Sequence, residues 1–198
     1  MPRPTHPDRR HDPCSKSAVD YEWRVAHERA AKDSFFRTSP HSSIPAADRA
    51  GFDGLAYYPV DPAWRIERLR LQSPDDDALD RIEIATSEGG ARIVRRLGTL
   101  SFVVGGQPRQ LAAYELGRSD GSLFLPFLDA TSGAETYGTG RYLDAEPEQD
   151  GTYVLDFNAA YHPHCAHAPD YSCPLTPAEN RLPDRIEASE RLATAGVR

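Results

Sequence analysis

Between Trp64 and Phe157 the apolar residues fall into about eight short runs with a period of two, most of them closed by a glycine-containing turn. No helical stretch separates one run from the next. Trp64, Ile66, Leu69 and Leu71 open the series, and Ile82 with Ile84, Ala91 to Leu97, and Leu100 with Phe102 and Val104 follow. Leu111 to Leu116, Leu123 to Leu128, Arg141 to Leu143 and Thr152 to Phe157 complete it. Glu88-Gly89-Gly90, Gly98, Gly105-Gly106, Asp120-Gly121 and Asp150-Gly151 supply the breaks. Parallel strands need crossovers of a dozen or more residues, which these turns cannot provide. The expected fold is therefore mainly β (α+β): an antiparallel meander forming a barrel-like or split-barrel core.

The flanks read differently. Residues 1–18 are rich in proline and charge with little to bury, so a disordered tail is expected, followed by a single globular domain over 19–198. From Val19 to Phe36, Trp23, Ala26 with His27, Ala30 with Ala31, and Phe35 recur at helical spacing. This predicts an N-terminal helix with those residues inward, capped by Ser17 or Asp20 and ended by Thr38-Ser39-Pro40. A helical turn is expected at Ala46 to Gly51, then an aromatic loop from Phe52 to Pro62 covering one end of the core. Asp75-Asp76-Asp77 reads as a solvated turn, and Pro183 to Leu192 as a short C-terminal helix burying Ile186 and Leu192.

Charge narrows the partners. The formal net charge is -7, and arginines alternate with carboxylates without forming a basic face, which argues against nucleic acid. No apolar run approaches the roughly 20 residues that span a bilayer. Arg9-Arg10 is followed by His11, Asp12 and Pro13 where a twin-arginine signal needs an apolar region, so the default expectation is a cytoplasmic protein with no membrane partner.

Two stretches carry more chemistry than turns require. Phe127 to Asp144 holds Asp129, Thr131, Glu135, Tyr137 and Arg141 among three glycines. Leu155 to Asn180 reads L-D-F-N-A-A-Y-H-P-H-C-A-H-A-P-D-Y-S-C-P-L-T-P-A-E-N, and its prolines keep it out of a sheet interior. The expectation is that the 127–144 and 155–180 loops meet over one mouth of the sheet and form a polar pocket. Asp156, Tyr161, Cys165 and Glu179 are the candidate catalytic groups. Asp129, Thr131, Glu135, Tyr137, Asn158 and Asn180 are candidate substrate contacts, with Arg141 as a clamp for a carboxylate or phosphate. His162, His164, His167 and Cys173 offer nitrogen and sulfur donors suited to zinc, although H-x-H-C-x-H-x5-C matches no standard finger or ribbon. Cys165 and Cys173 fit a disulfide, a metal pair, a reactive thiol with its partner, or two buried small residues.

These same motifs carry a resemblance. T-S-G-A-E-T-Y-G-T-G-R-Y-L-D, the loop from Leu155 to Asn180 and the closing I-E-A-S-E resemble the bacterial and archaeal family known as domain of unknown function 1684. Asp33 with Phe35 and Phe36, Ser39-Pro40, F-D-G-L-A-Y-Y-P and Trp64-Arg65-Ile66 fit it as well, so the likeness covers nearly everything after residue 20. The resemblance implies a shared fold and site without naming a reaction. Where the family pattern resembles A-Y-N-P-x-C-A-Y, this chain has His162, His164 and His167 at the Asn, variable and second Tyr positions.

Three functions fit these residues. The first is a small-molecule enzyme using hydrolase-like acid/base or thiol chemistry. The second is a non-catalytic ligand- or cofactor-binding β-barrel module. The third is a zinc-binding or purely structural pair of loops.

Overall fold

The alternating runs become strands for the reason the pattern implies: each places one set of side chains in a core. The computed structural model describes residues 13–73, 81–116, 120–168 and 170–193. Its strands are β1 (Ala56–Tyr57), β2 (Arg65–Leu69), β3 (Leu71–Gln72), β4 (Arg81–Ala85), β5 (Ala91–Val104), β6 (Gln107–Glu115), β7 (Leu123–Phe127), β8 (Arg141–Ala145), β9 (Tyr153–Asp156) and β10 (Glu190–Arg191). A six-stranded sheet runs β3-β5-β6-β7-β8 with β4 also on β5, while β2 pairs with β9 and β1 with β10, all antiparallel. Gly98 does not break the strand as expected. It sits in a register shift of the continuous β5, at φ 154°, and a Cβ there would run into the Gln72 carbonyl of β3. Glycine thus lets two strands press together at this point.

The sheet does not close into a barrel. Near the β8–β9 junction the described backbone makes isolated bridges, Pro147 to Tyr153 and Tyr142 to Tyr161, instead of a ladder. Closure needs a continuous staggered register, which the long excursions on either side of β8 prevent.

Both faces of the sheet centre are buried, which explains the unbroken L-F-L-P-F of β7. One face packs Leu100, Leu111, Leu125, Phe127, Leu155 and Phe157. The other carries Val94, Ala112, Tyr114, Phe124 and Tyr142, and is covered by Cys173, Tyr161 and Cys165 of the long loop. The 155–180 segment therefore acts as a second layer and supplies by packing what its prolines deny it in backbone pairing.

The helix α1 (Pro13–Thr38) starts within the stretch expected to be disordered, while residues 1–12 and the Asp75 to Asp77 turn lie outside the described residues. Its inner face differs from the one expected. Val25 and Phe36 are buried and Tyr21, Arg29, Lys32 and Asp33 half-buried, whereas Trp23 is 68 % exposed and stacks on His27. The surface beneath is polar, so charged side chains win the inner face by pairing with it. Tyr21 donates to Asp156 at 2.8 Å, Arg29 to the Tyr58 carbonyl at 2.9 Å, and Asp33 accepts from the Leu55 N–H at 3.0 Å. No helix among the described residues is long and apolar enough to cross a membrane.

The expected C-terminal helix is absent. Residues 181–191 form an extended strap that ends in β10, with Ile186 fully buried. Its carbonyls are already taken: Arg141 donates to those of Ile186 at 2.8 Å, of Ala188, and of Glu190 at 3.4 Å. A helix would need the same carbonyls for its own ladder.

Candidate functional site

The two loops do meet. The Tyr137 N–H donates to His162 Nε2 at 3.3 Å, its hydroxyl to the Cys165 carbonyl at 3.3 Å, and Thr176 donates to the Thr139 carbonyl at 2.9 Å. They close on one another through these bonds. Arg141 has no exposed surface, and besides the strap it faces Asp129 at 3.3 Å. Asp129 also accepts from the hydroxyls of Thr131 at 2.9 Å and Ser132 at 3.1 Å and from the Ile186 N–H at 2.8 Å; Thr131 in turn meets Thr136 at 3.0 Å. Asn180 is equally enclosed, with Oδ1 accepting from the Ala112 N–H at 2.8 Å and Nδ2 donating to the carbonyls of Ala112 and Pro126 at 2.8 and 2.7 Å. Arg141, Asp129, Thr131 and Asn180 therefore brace the loops, contrary to the expectation that they face a substrate. A short polar segment with no ladder must satisfy its backbone in this way.

The remaining candidates lie in separate hydrogen-bonded sets. Asp156 accepts from Tyr21, from Arg65 at 3.1 Å and from the Asn158 N–H at 3.1 Å. Tyr161 donates to Asp144 at 2.8 Å, and Glu179 accepts from Tyr114 at 2.6 Å and Arg96 at 2.9 Å. Glu135 accepts from Tyr58 at 2.9 Å and from Arg185. Cys165 and Cys173 are free, and the Cys165 N–H donates to Cys173 Sγ at 3.3 Å. Burial pushes the Cys173 thiol up to about 11, which keeps it protonated at neutral pH. Among the described residues the bonds named for Asp156, Tyr161, Cys165 and Glu179 go to different partners.

Among the described residues no three His, Cys, Asp or Glu side chains are placed to hold a metal ion. His164 is exposed against Tyr171, and His167 packs on Phe36 with ring centroids 5.1 Å apart. His162 is buried beside Tyr137. The three imidazoles point into three different contacts.

A second polar centre lies under α1, assembled from the helix, the 52–62 loop, the 155–180 loop and the C-terminal strap. Glu190, only 1 % exposed, accepts from Lys32 Nζ and from the His162 N–H at 2.7 Å. Asn158 is doubly bonded to Asp61, its Nδ2 to the carbonyl at 2.8 Å and its Oδ1 from the N–H at 3.1 Å. Arg29 lies over the Tyr57 ring, 4.6 Å from its centroid. Burial lowers the Arg29 pKa and raises that of Tyr57, so the phenol stays protonated. Between these groups lies a cavity of about 110 Å³ walled by Val25, Arg29, Lys32, Tyr57, Asn158 and Glu190. Only Asn158 of these was legible as a site residue; Lys32 and Glu190 are 158 residues apart, and no local pattern links them.

His162 joins this centre to the loops, and its environment has a measurable consequence. Burial first, then the charges of Arg141, His167 and Lys32, holds its pKa down to about 3. Glu190 Oε2 lies 3.8 Å from Nδ1, but that carboxylate is already compensated by Lys32. The folded pKa lies below the ordinary value of about 6.5. The unfolded chain therefore takes up the proton first, and this contribution is intact above about pH 6.5 and lost as pH falls toward 3. The slope is at most about 1.4 kcal/mol per pH unit. His162→Asn is expected to flatten the pH dependence of the urea midpoint between about pH 6 and pH 4; an unchanged profile would refute the buried neutral imidazole.

The fold and this centre define a class: an open antiparallel β domain whose edge is sealed by a helix and a C-terminal strap over a small polar cavity. The chain belongs to the family described as "Protein of unknown function (DUF1684)", whose model matches residues 50–191. It is also similar to an uncharacterised protein of Haloarcula marismortui solved by solution NMR, with 35% identity and a TM-score of 0.65. That match covers 89% of this chain and 97% of the other. None of the curated proteins matches the chain.

Proposed function

We propose that this protein is a non-catalytic small-molecule-binding module whose site is the cavity between α1 and the strap. One observation carries the reading. Arg29, Lys32, Asn158 and Glu190 converge on a hollow of about 110 Å³ with Val25 and Ala160 beside them, whereas Asp129, Thr131, Arg141 and Asn180 of the long loops are bonded to their own surroundings. A small hollow with an apolar side and a few convergent polar groups is the form that ligand sites take. The enzyme reading draws less support, since Asp156, Tyr161, Cys165 and Glu179 are each engaged elsewhere and burial keeps the Tyr161 phenol protonated.

A metabolite library screened by thermal shift tests the proposal. A compound present at a hundred times its Kd adds about 2.7 kcal/mol, equivalent to roughly 5–10 °C for a domain of this size. Ala159 is exposed and lies in the cavity wall, so Ala159→Phe fills the mouth without burying a new group in the core. The shift is expected to vanish in that variant. A library that moves neither protein, or moves both equally, would overturn the assignment of the site.

A further inference from the structure

Independently of the binding reading, we propose that Cys165 and Cys173 are a redox-sensitive dithiol, which a peroxide converts into a disulfide that pins the 155–180 loop onto the sheet. The two residues lie eight positions apart, and the Cys165 N–H donates to Cys173 Sγ at 3.3 Å. That nitrogen is one bond from the Cys165 α-carbon, and the sulfur is two bonds from the Cys173 α-carbon. The two α-carbons are thus held close to the separation that a disulfide spans. Both side chains belong to one apolar cluster, Cys173 buried within it and Cys165 half-buried against it.

The surrounding bonds hold each cysteine from a different side. Cys173 is tied to the turn after β4, where its N–H donates to Ser87 Oγ at 3.0 Å and its carbonyl accepts from the Ser87 N–H at 2.9 Å. The Cys165 carbonyl accepts from the Tyr137 hydroxyl of the other long loop at 3.3 Å. Both main chains are therefore fixed where the sulfurs approach. Joining the sulfurs ties together the β4–β5 turn, the 127–144 loop and the 155–180 loop.

The two thiols have separate tasks. Cys165 is the more exposed of the two and meets the oxidant first, while Cys173 is only 6 % exposed. The Cys165 thiolate attacks one peroxide oxygen: the S–O bond forms as the O–O bond breaks, and the departing hydroxide takes up a proton and leaves as water. Burial holds the Cys173 thiol up at about 11, while the backbone N–H groups of Cys165 and His164 act in the other direction. Those N–H groups favour the Cys173 thiolate once a sulfenic acid stands beside it. Its sulfur then attacks Cys165 Sγ, the S–S bond forms, and the S–O bond breaks so that the hydroxyl leaves with the Cys173 proton as a second water. Two thiols thereby lose two electrons to one peroxide. The closed ring holds nine residues, and a small thiol reopens it by exchange.

The test treats the full chain carrying Cys14→Ser, which leaves this pair as its only cysteines, with hydrogen peroxide and then with dithiothreitol. The expected product is lighter by two hydrogen atoms, shows no titratable thiol in denaturant, and regains both on reduction. Chymotryptic cleavage after Tyr171, between the two cysteines, should leave fragments that stay joined until they are reduced. The oxidised chain is expected to melt roughly 5–10 °C above the reduced one, since a disulfide that fits the native geometry stabilises. Cys173→Ser in the same background is expected to gain oxygen at Cys165 instead of losing hydrogen. Cys165→Ser should leave Cys173 reduced over the same exposure, because no accessible thiol remains to start the reaction. A treated chain that keeps both thiols, carries sulfinic acid at Cys165 without the link, or links to a second chain overturns the dithiol. A link that forms but leaves the melting temperature unchanged or lower overturns the pinning of the loop.

Discussion

Arg141→Met is expected to destabilise the protein by about 3–5 kcal/mol, the usual consequence of removing one member of a buried ion pair. The guanidinium is fully buried, lies over the Phe127 ring at 5.1 Å, and donates to the carbonyls of Ile186, Ala188 and Glu190 while facing Asp129. Methionine restores the volume and none of the donors. The strap loses its ties, and Asp129 keeps Thr131, Ser132 and the Ile186 N–H but no cation. In a chain of this length the melting temperature should fall by roughly 6–20 °C. Urea unfolding followed by circular dichroism measures the change directly. A loss below about 1 kcal/mol would show that the strap stands without Arg141. Stability close to that of the parent together with weakened ligand binding would restore the anchor role the sequence suggested.

Asn180→Ala comes next, with an expected loss of about 3 kcal/mol. Its carboxamide stands where a strand would, taking the Ala112 N–H and donating to the carbonyls of Ala112 and Pro126 in the centre of the sheet. Truncation strands three buried backbone groups, each costing about 1–3 kcal/mol before relaxation or entering water offsets part of it. Asn180→Asp is the sharper probe. It keeps the shape and the acceptor, but presents a buried charge to two carbonyls that need a donor, so it should be at least as damaging as alanine at pH 7. An aspartate variant as stable as the parent would contradict the hydrogen-bond assignment.

These two residues show how far the sequence could be read. Arg141 and Asn180 stand out because their surroundings contain more polar groups than a turn requires, and the structure buries both among hydrogen bonds to backbone. Their task, though, is decided by partners at 186–190 and at 112 and 126, which no local spacing reveals. The strands were legible because a half-buried sheet enforces a period of two. The inner face of α1 was not, because hydrophobic spacing marks a helix face only when the surface beneath is apolar. Here it presents Asp156, Glu190 and a carbonyl, and the aromatic stripe of Trp23 turns outward. The C-terminal strap was misread for a related reason: the composition of Pro183 to Leu192 permits a helix, but Arg141 claims its carbonyls.

The pairing of Lys32 with Glu190 has a consequence for how the molecule is made. During synthesis α1 leaves the ribosome long before the acid it will meet, and the intervening meander must find its own register first. The corner that houses the cavity can be finished only once residue 190 has left the ribosome. Until then the basic side of the helix is left to water or to whatever attends the nascent chain.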